Sequence, residues 1–484
     1  MSKNLSIAHI ASDKEYSHFT LAAPNPTTGK WEIDYISLSE FFVERGYFLY
    51  RINVERWILI RIIDNIVKQV GKKDLSDELI NFITNDEEAT LRKYMHQFFL
   101  KNIGKALSDD FLQTLPAKDV IFKKDIKNAM QLYYRNCIVK ITSTSITTHE
   151  YSELDGFIWE SQIIQREFYI EEINPLFDFE LFILNIGKES KRIAVINSSL
   201  GFILHNYKHS SYCPAVVLND EVISDLPEGG TGKGIVFKAV SYFINVLNID
   251  GKTFSFDSNF LYQRITPETR FVIFQDVNKN FDFERLFSFL TEGVVTEKKG
   301  KDQQFIPFVD APKVGLTTNY ALRGSGNSHE RRRFEIEISQ HYNKQKSPEQ
   351  EFGRMLFDDW TKDDWLQFDN YIVKNCCQLF LQKGLIKQEL INLPEKRLLS
   401  ATNSDFIKFM RDINFNFGDF IKSELIRQFM DQYDEYIIPS KFFSKHLFTK
   451  WVTSYAQHYG YSTTDYSDGS HRYYRFIKFN PDKV

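Results

Sequence analysis

Cysteine is scarce. Cys137, Cys213, Cys376 and Cys377 are the only four in 484 residues, and no two of them form a C-x-x-C pair. This usage excludes a disulfide framework and a zinc module, and it fits a reducing cytosol. Long apolar runs are missing too: no stretch reaches the roughly 18 apolar residues of a membrane span, and the opening MSKNLSIAHIASDKEY has no long apolar core. A cytoplasmic protein with no membrane partner is expected. Nor is there a surplus of positive charge, since 60 Lys and Arg stand against 64 Asp and Glu for a net charge of -4. That excludes a uniformly basic nucleic-acid coat and leaves local patches, or a channel made by assembly. Internal repeats and low-complexity segments are also absent, which removes solenoid architectures.

The chain does have length and aromatic side chains, with 44 Phe and 24 Tyr in a 43% hydrophobic composition. Its length predicts about three domains with ample material for buried cores. Residues 1–40 are polar and turn-rich, with a strand expected over Trp31 to Leu38. From Glu40 to Asp86 a helix-like SEFFVERG, strand-like YFLYRI and RWILIRII, and a helix over Asp77 to Ile83 suggest a small α+β unit. Amphipathic helix is expected over most of 87–134, sheet over 136–168, and helix again from Phe177 to Leu204. The domain boundaries follow as an N-terminal α+β and helical domain over 1–150, a collar over 151–210, an α/β core over 211–345, a helical region over 346–431, and a winged-helix domain over 432–484. In the last, helix Lys441 to Tyr459, a turn at Asp468-Gly469 and strand Tyr473 to Phe479 follow in order. Lys441, Lys445, Lys450, Arg472, Arg475 and Lys478 make it basic. Trp360 and Trp365 stand at helical spacing and read as core rather than as a platform for stacking bases.

The organising stretch is LPEGGTGKGIVF, Leu226 to Phe237. A short apolar run, Ala215 to Leu218, precedes it and is followed by Asn219-Asp220, so strand, connection, glycine loop and helix come in the order of a P-loop. Gly229, Gly230 and Gly232 let backbone N–H groups close on phosphate oxygens, the helix N-terminus adds its positive end, and Lys233 supplies a point charge. The expected nucleotide-binding set is Glu228, Gly229, Gly230, Thr231, Gly232, Lys233 and Gly234. Compared with G-x-x-x-x-G-K-[ST], Pro227 replaces the first glycine and Gly234 replaces the residue whose hydroxyl touches magnesium.

Downstream, the apolar strand RFVIFQD ends in Asp276, where a carboxylate for magnesium is needed. A third strand, KVGLTTN, ends in Asn319, an amide able to orient the attacking water or sense the γ-phosphate. Forty-three residues separate Lys233 from Asp276, and forty-three separate Asp276 from Asn319. Between these strands, EGVVTEKKGKD reads as two extended arms with Lys298, Lys299 and Lys301 at the tip, which suits contact with a phosphate backbone. Beyond them lie Arg323 and HERRRFE. Arg332, or Arg331 or Arg333 beside it, can act as a finger in a neighbouring subunit's site; the alternative is a surface ion-pair cluster with Glu330, Glu335 and Glu337.

Taken in order, the glycine loop, FQDV, EGVVTEKKGKD, GLTTN and the arginine cluster resemble superfamily 3 helicases. The span from about residue 40 onward is similar to the phage and mobile-element branch of the poxvirus-type primase-helicases. The resemblance implies a multidomain α/β protein with an AAA+-like P-loop core, and an ATP-dependent DNA helicase acting in the replication of a phage, prophage or mobile element. It further implies a homo-hexameric ring that binds ATP at subunit interfaces, single-stranded and forked DNA as partners, replication proteins as possible partners, and a bacterial host cytoplasm. By the same resemblance Lys233 binds phosphate, Asp276 holds Mg2+, Asn319 is the sensor, Lys298, Lys299 and Lys301 form a channel hairpin, and Arg332 or Arg331 is the finger. Gln275 departs from the family, which usually has an acidic residue there. The alternative reading is a non-unwinding P-loop ATPase switch, or a DNA-binding initiator, in a replication, packaging or defence complex. No acidic pair with a nearby His suggests a primase site.

Overall fold

The computed structural model describes residues 21–478 apart from 53–56, 86–88, 210, 222–228, 258–261, 267, 298–302, 325, 389, 391, 414–416 and 434–442. It divides into two compact units, one of residues 1–123 with 150–163 and the other of 124–149 with 164–484. In the first, strands Tyr47–Arg51, Trp57–Ile63 and Ile66–Gln69 run antiparallel, and Ile158–Trp159 adds in parallel beside the last. The strand expected over Trp31 to Leu38 stops at Ile33, and a helix occupies Tyr35–Glu44 instead. Asp34 explains the switch. Its carboxylate accepts the N–H groups of Ile36 and Ser37, an N-cap that starts the helix, and Leu38, Phe41 and Phe42 then fall on one buried face. The helix expected through residue 134 ends earlier, at Ala106, followed by the short Asp109–Leu112 and then by strand Ala129–Tyr134 of the second unit.

A five-stranded parallel sheet forms the centre of the second unit. Its order across the sheet is Val246–Asp250, Phe271–Val277, Lys313–Thr318, Ala215–Asp220 and Arg333–Ile338. The protein is thus mixed α/β. The pleat sends alternate residues of each strand to opposite faces, and both faces are covered. Val216, Leu218, Ile273 and Ile336 join helices Asp178–Gly187, Ser190–Leu204 and Lys233–Ser241 in one large core, which also takes Trp360. Val217, Val272, Phe274 and Leu316 form a second core on the other face with Phe281, Phe283 and Leu286. Trp365 packs against the first core, so both tryptophans are structural.

Toward the C-terminus, helices Ser404–Asp412, Lys422–Gln432 and Lys445–His458 surround a separate core of Phe406, Phe429, Phe448 and Trp451. Strand Phe420–Ile421 precedes the second of these helices, and strands Tyr461–Ser467 and Arg472–Lys478 follow the third. The three make an antiparallel sheet with Arg472–Lys478 in the middle. Asp468 closes the hairpin by accepting the N–H groups of Ser470 and His471, and Gly469 takes a left-handed φ of 90°. Helix Lys445–His458 starts four residues later than the expected Lys441, which lies outside the described residues.

Candidate functional site

Parallel strands align their C-terminal ends, so polar residues there gather in one crevice. Ala215–Asp220 does not stop at Leu218 as expected; Asn219 and Asp220 continue the strand and are buried at its end. The glycine loop follows. Gly229, Gly230 and Gly232 have φ of 73°, 82° and 97°, values that L side chains rarely adopt. Gly232 is also crowded, since a Cβ there would lie 2.9 Å from the Phe182 ring. Gly232 leads straight into helix Lys233–Ser241 without a side-chain cap. Among the described residues, the N–H groups of Gly230, Thr231, Gly232, Lys233 and Gly234 donate to no backbone carbonyl. Five donors beside a helix N-terminus make a cradle that can accept an anion. Glu228, expected at its edge, lies outside the described residues.

Lys233 is buried, and its ammonium meets three oxygens. Asp220 Oδ1 accepts a short hydrogen bond within an ion pair, Thr231 Oγ1 lies at 3.2 Å and Asn319 Oδ1 at 2.7 Å. Thr231 Oγ1 also donates to Asp220 Oδ1. Burial holds the Lys233 ammonium below the usual lysine range, and the Asp220 carboxylate opposes that shift. Lys233 and Asn319 therefore meet although 86 residues separate them. The strand Lys313–Thr318, which carries Asn319 at its end, lies directly beside Ala215–Asp220 and brings them together.

Asp276 stands one strand further on. Phe271–Phe274 pairs in register with Lys313–Leu316, then Gln275 and Asp276 together oppose Thr317 before Val277 meets Thr318. This is a β-bulge, a device that re-aims a side chain. Asp276 takes φ 53°, its N–H is held by Thr317 Oγ1 at 2.8 Å, and its carboxylate is half exposed with Lys252 Nζ 3.7 Å away. Gln275 turns to Asn248, donating from Nε2 to Oδ1 at 3.0 Å. Among the described residues no group of three or more His, Cys, Asp or Glu side chains could enclose a metal ion. Magnesium does not need such an enclosure, because it keeps several waters and is held by one or two carboxylates plus substrate phosphates. The half-exposed Asp276 on its bulge fits that mode; Gly234 has no side chain to add to it.

The arginines lie elsewhere. Arg333 begins the edge strand Arg333–Ile338 opposite Ala215, whereas Ile338 pairs with Asp220 at the cradle end. Five residues at about 3.3 Å each put the cluster about 17 Å from the cradle along the sheet. Arg333 is buried and donates to the carbonyls of Leu322, Arg323 and Gly324. Arg332 lies over the Phe287 ring at 4.3 Å and donates to Ser328 O. Arg331 is exposed. The surface ion-pair alternative does not form among the described residues, because Glu335 pairs with Arg397 and Glu337 accepts the N–H groups of Asn392 and Leu393. The hairpin arms are present as antiparallel Gly293–Thr296 and Gln304–Pro307, with Val295 opposite Phe305 on the exposed face. Its tip, with Lys298, Lys299 and Lys301, lies outside the described residues.

Three contributors have no role that the sequence assigns. The residue order puts Asp220 in a connection, although a polar residue closing an apolar parallel strand is a usable signal. Thr317 stands inside the GLTTN motif, which gives it no role of its own. Lys396, on helix Leu393–Ala401, is buried and donates to Asn219 Oδ1 at 3.1 Å and to Asp220 O. Burial pushes it down to about 8. In the C-terminal region a cleft of about 830 Å³ is lined by Lys445, His446, His471 and Arg472, together with Lys422, paired to Asp465, and Arg427, paired to Glu424 and Asp431.

No protein-family model and no curated protein matches the chain. Among solved structures, the A-form apo structure of the NrS-1 C-terminal region, residues 305–718, is similar over 92% of this chain and 100% of that one, at 13% identity and a TM-score of 0.43. A second A-form apo structure of that region covers 92% and 99% at 12% identity and a TM-score of 0.41. A JCV helicase with a thiazolopyridine acetamide bound covers 57% and 70% at 12% identity and a TM-score of 0.20. No helix among the described residues is long and apolar enough to cross a membrane.

Proposed function

We propose that this protein is an ATP-hydrolysing DNA helicase of the superfamily 3 type, working as a homo-hexamer on single-stranded and forked DNA in the replication of a phage, prophage or mobile element. The observation that carries the reading is the meeting of Lys233, Asn319 and three left-handed glycines at the end of one parallel sheet. The free N–H groups of the loop and Lys233 bind the phosphates of ATP. Asn319 orients the attacking water from the adjacent strand. Asp276 would hold Mg2+, which when bound would supply charge neutralisation on the phosphate oxygens. Thr317 holds the Asp276 bulge in place through the backbone N–H.

The ring reading draws support from the arginines. A side chain about 17 Å along the strand from the cradle does not serve its own site, whereas exposed Arg331 can serve a neighbour's. Arg332 would have to leave the Phe287 ring to do so. In the C-terminal region the order helix, strand, helix, helix, hairpin is that of a winged helix, and the basic cleft suits the phosphate backbone of a duplex. Strand displacement on a forked substrate tests the whole reading: unwinding that requires ATP and magnesium is expected, and none under conditions where ATP is hydrolysed would leave a non-unwinding ATPase switch. The engagement of Gln275 with Asn248 favours that second reading, since it removes the neighbouring side chain from the metal's reach.

A further inference from the structure

Lys233 has three N–H donors, and Asp220, Thr231 and Asn319 take all three. A phosphate can reach the ammonium only if one of these gives way. Asp220 is the one that electrostatics selects, because its carboxylate is an anion and would face the incoming phosphate across a low-dielectric crevice. Leaving it buried without a cation would be costly. A second cation stands ready. Lys396 Nζ is already bonded to Asp220's own carbonyl oxygen and to Asn219, and its third donor is open among the described residues.

We propose that Asp220 is a positioning residue that exchanges cations: its carboxylate holds Lys233 in the arrangement seen here, and moves to Lys396 when phosphate takes Lys233. This rests on the nucleotide-binding reading above and adds its regulation. Both arrangements keep the carboxylate paired.

The consequence lies in where Lys396 sits. Its helix, Leu393–Ala401, is held to the core's edge strand by Glu337, which accepts Asn392 N–H at 2.9 Å and Leu393 N–H at 2.5 Å, and by Arg397 on Glu335. One residue before Lys396, Glu395 pairs with Arg411 at 3.0 Å and with His458 at 3.4 Å, on helices Ser404–Asp412 and Lys445–His458. A carboxylate arriving on Lys396 thus bears on the helix that joins the phosphate cradle to the basic C-terminal region. The two-position element is Asp220 itself, and both the nucleotide and that helix bias it.

Titration of the full chain with fluorescent mant-ADP and magnesium tests the exchange. Asp220→Asn removes the competitor, so affinity should rise roughly tenfold, a gain that structural damage would not produce. Lys396→Met removes the acceptor of the carboxylate and should weaken binding by a similar factor in the wild-type background, yet change little in Asp220→Asn. Equal or weaker binding by a folded Asp220→Asn overturns the proposal, and so does a Lys396→Met effect that is the same in both backgrounds. Should Asp220→Asn not fold, hydrogen exchange in the wild type decides instead: the amides of Asn392 and Leu393 should change protection when the probe binds, and unchanged protection overturns the coupling. A wild type that binds no mant-ADP would refute the cradle itself and the exchange with it.

Discussion

Asn319 Oδ1 accepts a hydrogen bond from Lys233 Nζ at 2.7 Å, joining the end of strand Lys313–Thr318 to the first residue of helix Lys233–Ser241. An amide and an ammonium so placed can grip opposite sides of one terminal phosphate, the amide through a water and the ammonium directly. The remaining parts of the proposed machine are arranged around this pair, and each can be removed separately.

Asp276→Asn should leave nucleotide binding measurable and stop magnesium-dependent hydrolysis. Gly234 has no hydroxyl and Gln275 is turned to Asn248, so neither replaces the lost carboxylate. A magnesium titration of phosphate release checks this; retained turnover would mean that a different carboxylate holds the ion.

Part of this site was legible in the sequence. The glycine loop follows a recognisable apolar strand, Asp276 and Asn319 lie near the ends of two more, and local residue order announces a parallel α/β core. Asp220 and Lys396 were not legible in the same way, because their roles depend on which strand neighbours which and on a helix more than 170 residues away. Helix Tyr35–Glu44 differs from the expected strand for a local reason: the β-like Trp31-Glu32-Ile33 runs into a helix whose start is marked only by Asp34. HERRRFE allowed two readings, and only the pairing of Arg333 with Ala215 separates a buried strand residue from its exposed neighbour Arg331.

Replacing Lys298, Lys299 and Lys301 together by alanine should weaken single-stranded DNA binding and flatten its salt dependence. Each lost phosphate contact removes roughly 0.7 from the slope of log K against log salt, so the triple variant should lose about 2. Fluorescence anisotropy over a salt series reads the slope, and an unchanged value would return the hairpin tip to an ordinary solvated loop.

Arg331→Ala and Lys233→Ala should each be inactive, yet regain turnover when mixed. A mixed ring can pair an intact loop on one subunit with an intact arginine on the next, and a finger contributes about 10³ to 10⁵ in rate. Phosphate release across mixing ratios, under conditions where subunits exchange, gives the answer. No recovery at any ratio would argue for a site complete within one chain.

His205 carries a pH prediction for stability. It is buried, Nε2 bonds to Ile126 O at 2.9 Å, and burial, then Lys313, lower it to about 4. Its folded value lies below the ordinary 6.5, so between pH 6.5 and 4 the unfolded chain binds the proton first. The contribution is complete above about 6.5 and is lost as pH falls toward 4, on the order of 3 kcal/mol in all. Asp125, nearby and raised to about 6, shifts stability the other way over this range. Comparison with His205→Gln isolates the histidine: the wild type's loss of melting temperature on acidification should exceed the variant's, and parallel curves would contradict the assignment.

The central claim is that the cradle at Lys233 hydrolyses ATP in the service of DNA. Its most direct measurement is phosphate release from MgATP with and without single-stranded DNA, by the wild type and by Lys233→Ala. The account predicts turnover by the wild type that DNA accelerates, and none by the variant in either condition, because the loop loses the charge directed at the β/γ-phosphates. Equal turnover by the two proteins would contradict it.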